Sequence, residues 1–391
     1  MIPEFEEIIA SASSKATEVR RDVHEHPELP WHEVRTTELY AKELEKVGIK
    51  IVKRGFKNTE SGIIAEVEGA MPGPTLALRG DIDALPVQEN PAHAICSKND
   101  GVMHACGHDV HGSALLGTAI AVNAMRSSLC GKVRFIFQPA EEAGFDSGAP
   151  AVIAEGGLDG VAAIVGTHVK SAVPFGQIGL RRGAICASGA VWEVTVTGRG
   201  GHGGYPQDAV NPTLCMASMI PAIQSIVSAE ISPMEHVVVT VAALKAGEAP
   251  NVIPQTCYGN GNVRTSNQEI RNSMPGRFER IAKNIAAAWR CTADLKYTQL
   301  YPVTVNDPVT TDWASEAIKK AGLGDNIIEM PFGMGAEDFS YYALKIPATF
   351  IYFGMGTNFP HHSPDFIVDE RIIPLSVRVQ TTLALDFGKC H

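Results

Sequence analysis

The stretch VRFIFQPAEE, residues 133–142, sets a strongly apolar run directly before two acidic residues. The run Val133–Phe137 predicts a buried strand, and Glu141 and Glu142 follow where that strand ends. Two adjacent carboxylates are costly at a buried position unless a cation receives them. In an extended chain their side chains diverge, so one can bind a metal ion while the other holds a water. Because acidic pairs are common, a solvated acidic turn is the alternative interpretation.

Strand and helix patterns alternate around this stretch. A second buried strand is predicted at Val161–Gly166, with a helix near Ala149–Glu155 between the two strands. Apolar strands that alternate with helices are typical of the α/β class, with a central, mostly parallel sheet flanked by helices. Further helices are predicted near residues 5–24, 33–47, 109–125 and 372–386, and further strands at 49–52, 62–67, 75–78 and 348–353.

The pattern changes after Arg182. Val191–Thr197 alternates apolar and polar residues from Trp192 onward, which predicts a strand with one face in water. A helix at 212–227, strands at 236–243 and 256–263, and a helix at 269–288 come next. This β-α-β-β-α-β order resembles a ferredoxin-like unit inserted into another domain. We therefore predict one domain made of residues 1–183 and 300–391, interrupted by a second domain at 184–299.

Length and composition indicate a globular protein of two domains, because 391 residues are many for a single core. The net charge of −10, without a dense Lys/Arg cluster, would repel a phosphate backbone, so we expect no nucleic-acid partner. The sequence shows no basic-then-apolar start and no run of about 18 apolar residues, so we expect neither a signal peptide nor a membrane partner. Eight scattered cysteines fit the reduced thiols of a cytoplasmic protein.

Cys106-Gly107-His108 lies just before a predicted helix of small residues. Thiolate and imidazole both bind borderline-soft divalent ions, so Cys106 and His108 are candidate metal ligands. The alternative is a buried cysteine followed by Asp109 as the N-cap of that helix.

Two further histidines follow predicted strands, as Glu141 and Glu142 do. His168 comes after Val161–Gly166, and His362 comes after the strand at 348–353. Taken singly, each is more typical of a hydrogen-bonded core or surface histidine. In open α/β sheets, however, sites form beyond the carboxyl ends of the strands. Four segments with ligand chemistry near such ends therefore predict one shared metal site.

A series of short sequence motifs resembles the motifs of the M20 peptidase family. These motifs occur in order over nearly the whole chain. More narrowly they resemble the aminoacylase/hippurate-hydrolase branch, which includes the auxin-conjugate hydrolases. The motifs are RGDIDALPVQE (79–89), GVMHACGHDVH (101–111), QPAEE (138–142), GTHV (166–169), GGHGGYP (200–206), GAEDFSYY (335–342) and HHSP (361–364).

The resemblance implies a centre of two divalent metal ions, with Zn or Mn preferred and Co or Ni also suited to the ligands. It implies that Cys106 bridges the ions, that Glu141 is the general base, and that Asp83 orients a ligand imidazole. The alternative for Asp83 is a residue that caps a loop. The implied metal ligands are Cys106, His108, Glu142, His168 and His362.

The resemblance also makes residues 184–299 a lid and dimerisation domain, so we expect a homodimer or a higher homo-oligomer. It implies that His202, in a glycine-rich run, reaches an active site, often that of the partner subunit, and helps to hold the oxyanion. Asn251 and Arg264 match positions that contact a substrate carboxylate, a task that suits the guanidinium fork. The alternatives are that His202 and Asn251 are ordinary turn residues and that Arg264 forms a surface ion pair.

The expected activity is hydrolysis of the amide bond of N-acyl amino acids, or of dipeptide-like compounds, to release a free amino acid. A metallo-dipeptidase or aminopeptidase is the alternative enzyme, and it would need an acidic group for a free α-amine. A non-catalytic thiol or metal-binding protein built on Cys106 is the alternative of another class. The Glu141/Glu142 pair argues against it, because a thiol sensor needs no base beside a metal carboxylate.

Overall fold

A computed structural model describes residues 4–389 of the chain. Its helices are α1 (Phe5–Glu25), α2 (Val34–Lys46), α3 (His108–Ala124), α4 (Gly148–Ala154), α5 (Pro212–Ser225), α6 (Gln268–Ala288), α7 (Pro308–Ile318), α8 (Ser340–Ala343) and α9 (Ile372–Phe387). Its strands are β1 (Lys50–Arg54), β2 (Ile63–Glu68), β3 (Met71–Asp81), β4 (Cys130–Gln138), β5 (Val161–Lys170), β6 (Ile178–Leu180), β7 (Gly183–Cys186), β8 (Ser188–Thr197), β9 (Gly201–His202), β10 (Val237–Val239), β11 (Ala243–Lys245), β12 (Val252–Ile253), β13 (Thr256–Thr265), β14 (Thr292–Gln299), β15 (Thr304–Asn306), β16 (Ile327–Glu329) and β17 (Ala348–Gly354).

The chain divides into two compact units. The first unit extends to Ile185 and continues with Val305–Pro331 and the chain from Asp338. The second unit comprises Cys186–Thr304 and Phe332–Glu337. Residues 300–304 and 332–337, which the sequence assigned to the first domain, thus group with the second unit. One reason is that the Ala187 N–H donates to the Gly333 carbonyl at 3.0 Å. The catalytic and lid roles of the two parts stay predictions.

The first unit contains an eight-stranded sheet in the order β1-β2-β4-β3-β5-β17-β6-β16. The pairs β4–β3, β3–β5, β5–β17 and β6–β16 are parallel. Every residue of β17 is buried, as expected for a strand covered on both faces. Helices α1, α3 and α9 pack against one another, and α3 and α9 also contact β3. The predicted α/β class, with a mostly parallel central sheet, is confirmed.

Four strands of this sheet finish at a common edge. The register pairs Asp81 of β3 with Gln138 of β4, and His168 of β5 with Tyr352 of β17. The prediction that His168 follows its strand is wrong, because β5 extends to Lys170 through continued pairing with β17. The segments beyond β3, β4 and β17, together with the end of β5, therefore bring the candidate site residues of this unit to one edge of the sheet.

The second unit has a five-stranded sheet in the order β10-β13-β8-β14, with β11 also paired to β13. Trp192 of β8 and Phe278 of α6 are fully buried, with ring centroids 5.7 Å apart. The strand predicted at 236–243 is instead two short strands, β10 and β11. Between them the carbonyl of Thr240 turns to accept the Trp192 indole N–H at 3.0 Å, which a continuous ladder would not allow.

One helical segment of the described residues, Pro212–Glu230, is long and apolar enough, by length and composition alone, to cross a membrane. A single segment of this kind is weak evidence, because the core helices of soluble proteins pass the same test. Met216, Met219 and Ile223 of this segment are buried in the core of the second unit. The predicted absence of a membrane partner stays a prediction.

Candidate metal centre

Two groups of ligand atoms meet at the thiol of Cys106. The ligand atoms of Cys106, His108 and His168 all lie within 4.8 Å of one another. Those of Cys106, Glu142 and His362 are equally close. The structure thus brings together all five residues that the sequence singled out as ligands. Their arrangement as two three-residue groups with a shared sulfur suits two ions bridged by a thiolate.

Gly107 allows this geometry, because it lies in the left-handed region with φ 90°. A Cβ at Gly107 would lie 2.4 Å from Cγ2 of Val169, so a larger residue would displace β5 or the ligand loop. Burial raises the pKa of the Cys106 thiol, and the Glu142 carboxylate raises it further. Only a strong local positive charge, such as a bound dication, would make this buried thiol a stable thiolate.

The helix-cap interpretation of the same segment is wrong. Helix α3 begins at His108 with Gly107 as its N-cap, and no side chain caps it. The Asp109 carboxylate instead accepts a hydrogen bond from Nε of Arg20 at 2.7 Å and lies 2.8 Å from Nδ1 of His24. Asp109 therefore anchors the start of α3 to the end of α1.

The ring of His108 is oriented by Asp83. Nδ1 of His108 lies 3.1 Å from Oδ1 of Asp83, while Oδ2 of Asp83 accepts the Glu142 backbone N–H at 2.9 Å. Nε2 of His108 is buried and has no hydrogen-bond partner among residues 4–389. Burial opposes protonation of His108, but the Asp81 and Asp83 carboxylates outweigh burial and raise the pKa of His108 well above its usual range, so the ring loses its second proton only when a cation replaces it. A carboxylate behind one ring nitrogen and an unpartnered nitrogen on the other side is the arrangement of a metal-bound histidine. The donor set therefore fits a metal ion.

His168 also presents a ring nitrogen to the centre. Its Nδ1–H donates to the Val169 carbonyl at 2.6 Å, which leaves Nε2 as an acceptor 3.5 Å from Sγ of Cys106. Burial lowers the pKa of His168 well below its usual range, and the neighbouring His111 ring lowers it further. The ring is therefore neutral, as a metal ligand must be.

Glu142 and His362 form the more open side of the centre. Nε2 of His362 lies 3.1 Å from Oε1 of Glu142, and about half of the His362 side chain is exposed. The backbone N–H of His362 donates to the Ala105 carbonyl at 2.8 Å, next to Cys106 in the chain. This bond joins the two loops that carry the ligands.

Glu141 lies beside the centre. It is buried, and its Oε1 accepts the Asp338 backbone N–H at 3.3 Å. One oxygen of Glu141 lies within 4.8 Å of ligand atoms of His108 and Glu142. The expected extended chain is wrong here, because Ala140 takes the left-handed conformation and Glu141 opens a 3-10 turn. The two carboxylates still diverge, one towards Asp338 and the other towards His362.

A buried network lies beneath the centre, and its members Asp81 and Arg79 were not predicted from the sequence. Nδ1 of His111 lies 2.5 Å from Oδ1 of Asp81, and Nε2 of His111 accepts the Val169 N–H at 2.9 Å. Because both ring nitrogens of His111 are occupied, it supports the site rather than binding metal. The available signal was a charged pair, Arg79 and Asp81, within the apolar strand β3.

Arg79 links this network to the turn after β4. Its Nη2 donates to Oδ1 of Asp338 at 2.7 Å, and its Nη1 pairs with Asp81. Burial raises the pKa of Asp338 to about 6, although the Arg79 charge opposes the rise. Oδ2 of Asp338 accepts hydrogen bonds from Nε2 of Gln138 at 2.8 Å and from the Ala149 N–H at 3.0 Å. Asp338 thus holds the segments on both sides of Glu141.

The three remaining candidates all lie in the second unit. His202 is exposed on β9, which pairs with β12, and its Nδ1 accepts the Gly204 N–H at 2.9 Å. Asn251 is adjacent, because its carbonyl accepts the Gly203 N–H at 2.8 Å. Arg264 on β13 is half-buried, which lowers the pKa of its guanidinium, and its side chain has no hydrogen bond or ion pair within the described chain. The turn interpretation of Asn251 describes its local bonds, but a surface ion pair does not describe Arg264.

Comparisons with known proteins agree with this geometry. The family model described as peptidase family M20/M25/M40 matches residues 77–386. The chain is 40% identical to an N-acetylcysteine deacetylase of Bacillus subtilis (strain 168), over 94% of this chain and 95% of the relative. It is 36% identical to the IAA-amino acid hydrolase ILR1-like 2 of Arabidopsis thaliana, over 95% of this chain and 84% of the relative.

The fold has a close match among solved structures. A crystal structure from Bacillus subtilis, described as a dinuclear metal-binding peptidase of the M20 family, superimposes with a TM-score of 0.86. The two sequences are 35% identical, and the match covers 98% of this chain and 99% of that one.

Proposed function

The chain belongs to peptidase family M20/M25/M40, as its motifs predicted, and from this premise we propose that it hydrolyses the amide bond of N-acyl amino acids. Hydrolysis of amide bonds in general is shown, since relatives over nearly the whole chain are hydrolases of amide bonds. The released products would be a carboxylate and a free amino acid. We propose N-acyl substrates because the relatives include a deacetylase and a hydrolase of amino-acid conjugates.

The observation that carries the proposal is the pair of ligand groups that share Cys106, with Glu141 beside them. We propose Cys106, His108 and His168 as one ligand set and Cys106, Glu142 and His362 as the other. The buried, unpartnered Nε2 of His108 and the Asp83 carboxylate behind the ring support this assignment. Sulfur, nitrogen and oxygen donors together suit Zn or Mn, with Co or Ni as alternatives.

When bound, two divalent ions supply positive charge that lowers the pKa of a water and stabilises an oxyanion. Glu141 takes the proton of the attacking water and returns it to the leaving nitrogen. The Asp338 N–H holds the Glu141 carboxylate in place for both transfers. Asp83 acts through His108, whose ring it keeps in one orientation.

We assign the free carboxylate of the substrate to Arg264 and Asn251. The half-buried guanidinium of Arg264 makes no hydrogen bond or ion pair in the described chain, and a carboxylate would satisfy it with two parallel hydrogen bonds. His202 would hold the oxyanion, in its own or the partner's active site. We propose that the protein works in the cytoplasm as a homodimer or a higher homo-oligomer, with a small molecule as its substrate.

The proposal is tested by a panel of N-acyl amino acids and dipeptides, assayed with Zn, Mn, Co and Ni by release of free amine. N-acyl amino acids should be cleaved, and the matching compounds with a carboxamide in place of the carboxylate should react much more slowly. A preference for dipeptides with a free α-amine would favour the dipeptidase instead. A metal-free protein with a freely reactive Cys106 thiol would exclude hydrolysis by two metals.

A further inference from the structure

Glu33 is a buried carboxyl group that the mechanism above does not use. It lies directly before α2 and is completely buried, yet its side chain does not cap that helix. Its Oε1 instead accepts the backbone N–H of Ala140 at 2.8 Å. Its Oε2 has no hydrogen-bond partner among residues 4–389. Burial of a carboxyl group is costly, so this contact requires an explanation beyond helix formation.

Ala140 is the residue that turns the chain from β4 into Glu141. Its φ of 56° and ψ of 43° lie in the left-handed region, which a residue with a Cβ disfavours. Both of its backbone groups are held: the N–H by Glu33, and the carbonyl by the Gly148 N–H at 2.9 Å. Strained backbone of this kind persists only where surrounding contacts enforce it.

The conformation of Ala140 decides where the next two side chains go. After this turn, Glu141 reaches the Asp338 N–H, and the Glu142 N–H reaches Oδ2 of Asp83. A relaxed, right-handed or extended Ala140 would redirect both residues. We propose that Glu33 is a positioning residue, whose Oε1 holds the left-handed turn at Ala140 and so aims Glu141 at the attacking water. This inference rests on the proposed role of Glu141 as general base.

The charge state of Glu33 is compatible with this role. Burial, together with the nearby Asp83 carboxylate, raises the pKa of Glu33 to about 8. At neutral pH the group is therefore mostly an uncharged carboxyl, which adds no negative charge beside Glu141 and Glu142. Glutamine has nearly the same shape and the same acceptor oxygen, so it should replace Glu33 with little loss.

Two variants and a matched control separate this role from general stability. Glu33→Gln keeps the acceptor, whereas Glu33→Met keeps the approximate length and removes it. Thr37→Val is the control, because buried Thr37 on the same helix accepts the N–H of Gly62 at 2.8 Å. Gly62 also has a positive φ, of 91°, so the control removes a similar bond that does not involve Ala140.

We expect kcat of Glu33→Met to fall about 10²-fold with KM changed much less, as for a displaced catalytic group. Glu33→Gln should retain most of kcat below pH 8, and Thr37→Val should lower the melting temperature without this loss of kcat. Hydrogen exchange followed by mass spectrometry, on the metal-free protein, should show faster exchange of the Ala140 amide in Glu33→Met only.

Wild-type kcat and Ala140 exchange in Glu33→Met would overturn the inference. So would equal damage from Glu33→Gln, or a loss of kcat in Thr37→Val in proportion to its stability. The proposed function fails separately, if the wild-type protein cleaves no amide of the panel with any metal. In that case the exchange of the Ala140 amide still decides whether Glu33 holds the turn.

Discussion

The predicted metal ligands and the predicted substrate residues are held in opposite ways. In the first unit, the ring nitrogen of His108 or His168 that faces away from Cys106 is occupied, by Asp83 or by the Val169 carbonyl. In the second unit, His202 is exposed and the Arg264 side chain makes no hydrogen bond or ion pair within the described chain. The proposed metal ligands are therefore oriented before a metal ion binds, whereas the proposed substrate residues keep polar groups that are available to a substrate. Changes in the first unit should abolish the chemistry, and changes in the second should alter affinity and selectivity.

The largest effect is expected from Glu141→Gln. Loss of the base should lower kcat by about 10²–10⁴-fold, because proton transfer by a positioned group contributes about that much. Metal content should stay at two ions per chain, since the proposed ligands are unchanged. Glu142→Gln is the matched comparison, and there the metal content itself should fall. Metal analysis of both variants beside their kinetics gives the answer, and an active Glu141→Gln enzyme would remove Glu141 from the mechanism.

Arg264→Gln tests the other side of the comparison. Removal of the guanidinium should lower kcat/KM for N-acyl amino acids by about 10²-fold, a typical loss for a desolvated charge pair. The same variant should cleave the carboxamide analogue as well as the wild type does, because that substrate has no charge to pair. A parallel loss on both substrates would mean that Arg264 supports the fold of β13 instead.

Asp83→Asn should weaken the metal centre without removing a ligand. An amide in place of the carboxylate makes a weaker partner for Nδ1 of His108, and such changes lower metal affinity by about 10–100-fold. Competition with a chelator measures this directly. Addition of excess metal should restore most of the activity, which it cannot do for Glu141→Gln. Unchanged affinity would show that the His108 ring is oriented by its packing alone.

A comparison of residues that were and were not predicted shows what the sequence can predict. His108, Glu142 and His362 could be proposed as ligands because each is a ligand type in a segment close to the end of a strand or the start of a helix, and because the motifs around them resemble those of the M20 family. The turn at Ala140 was not, because alanine gives no signal of a positive φ and its two enforcing bonds come from Glu33 and Gly148, far apart in the chain. Glu33 itself looks like the polar start of a helix. Contacts of this kind depend on the tertiary structure, which local patterns do not contain.

The smallest expected effect concerns the support behind the centre, where Glu89 contacts two histidines. Nε2 of His24 lies 3.0 Å and Nδ1 of His93 lies 2.8 Å from Oε1 of Glu89. Burial opposes ionisation of Glu89, but these hydrogen bonds outweigh it and lower its pKa to about 2. A carboxyl group with a lowered pKa stabilises the fold above its unfolded value, here 4.5, and this stabilisation is lost as the pH falls towards 2.

Glu89→Gln should therefore lower the free energy of unfolding by about 1–2 kcal/mol at pH 6 and by progressively less below pH 4.5. Urea unfolding of the metal-free protein at a series of pH values measures the difference. Glu155→Gln is a control, since its exposed pair with Lys53 should contribute little at any pH. A constant difference across the series would mean that Glu89 acts through its shape and not its charge. Metal affinity and kcat should change little, because the Glu89 side chain contacts none of the proposed ligands and is linked to the start of α3 through His24 and Asp109.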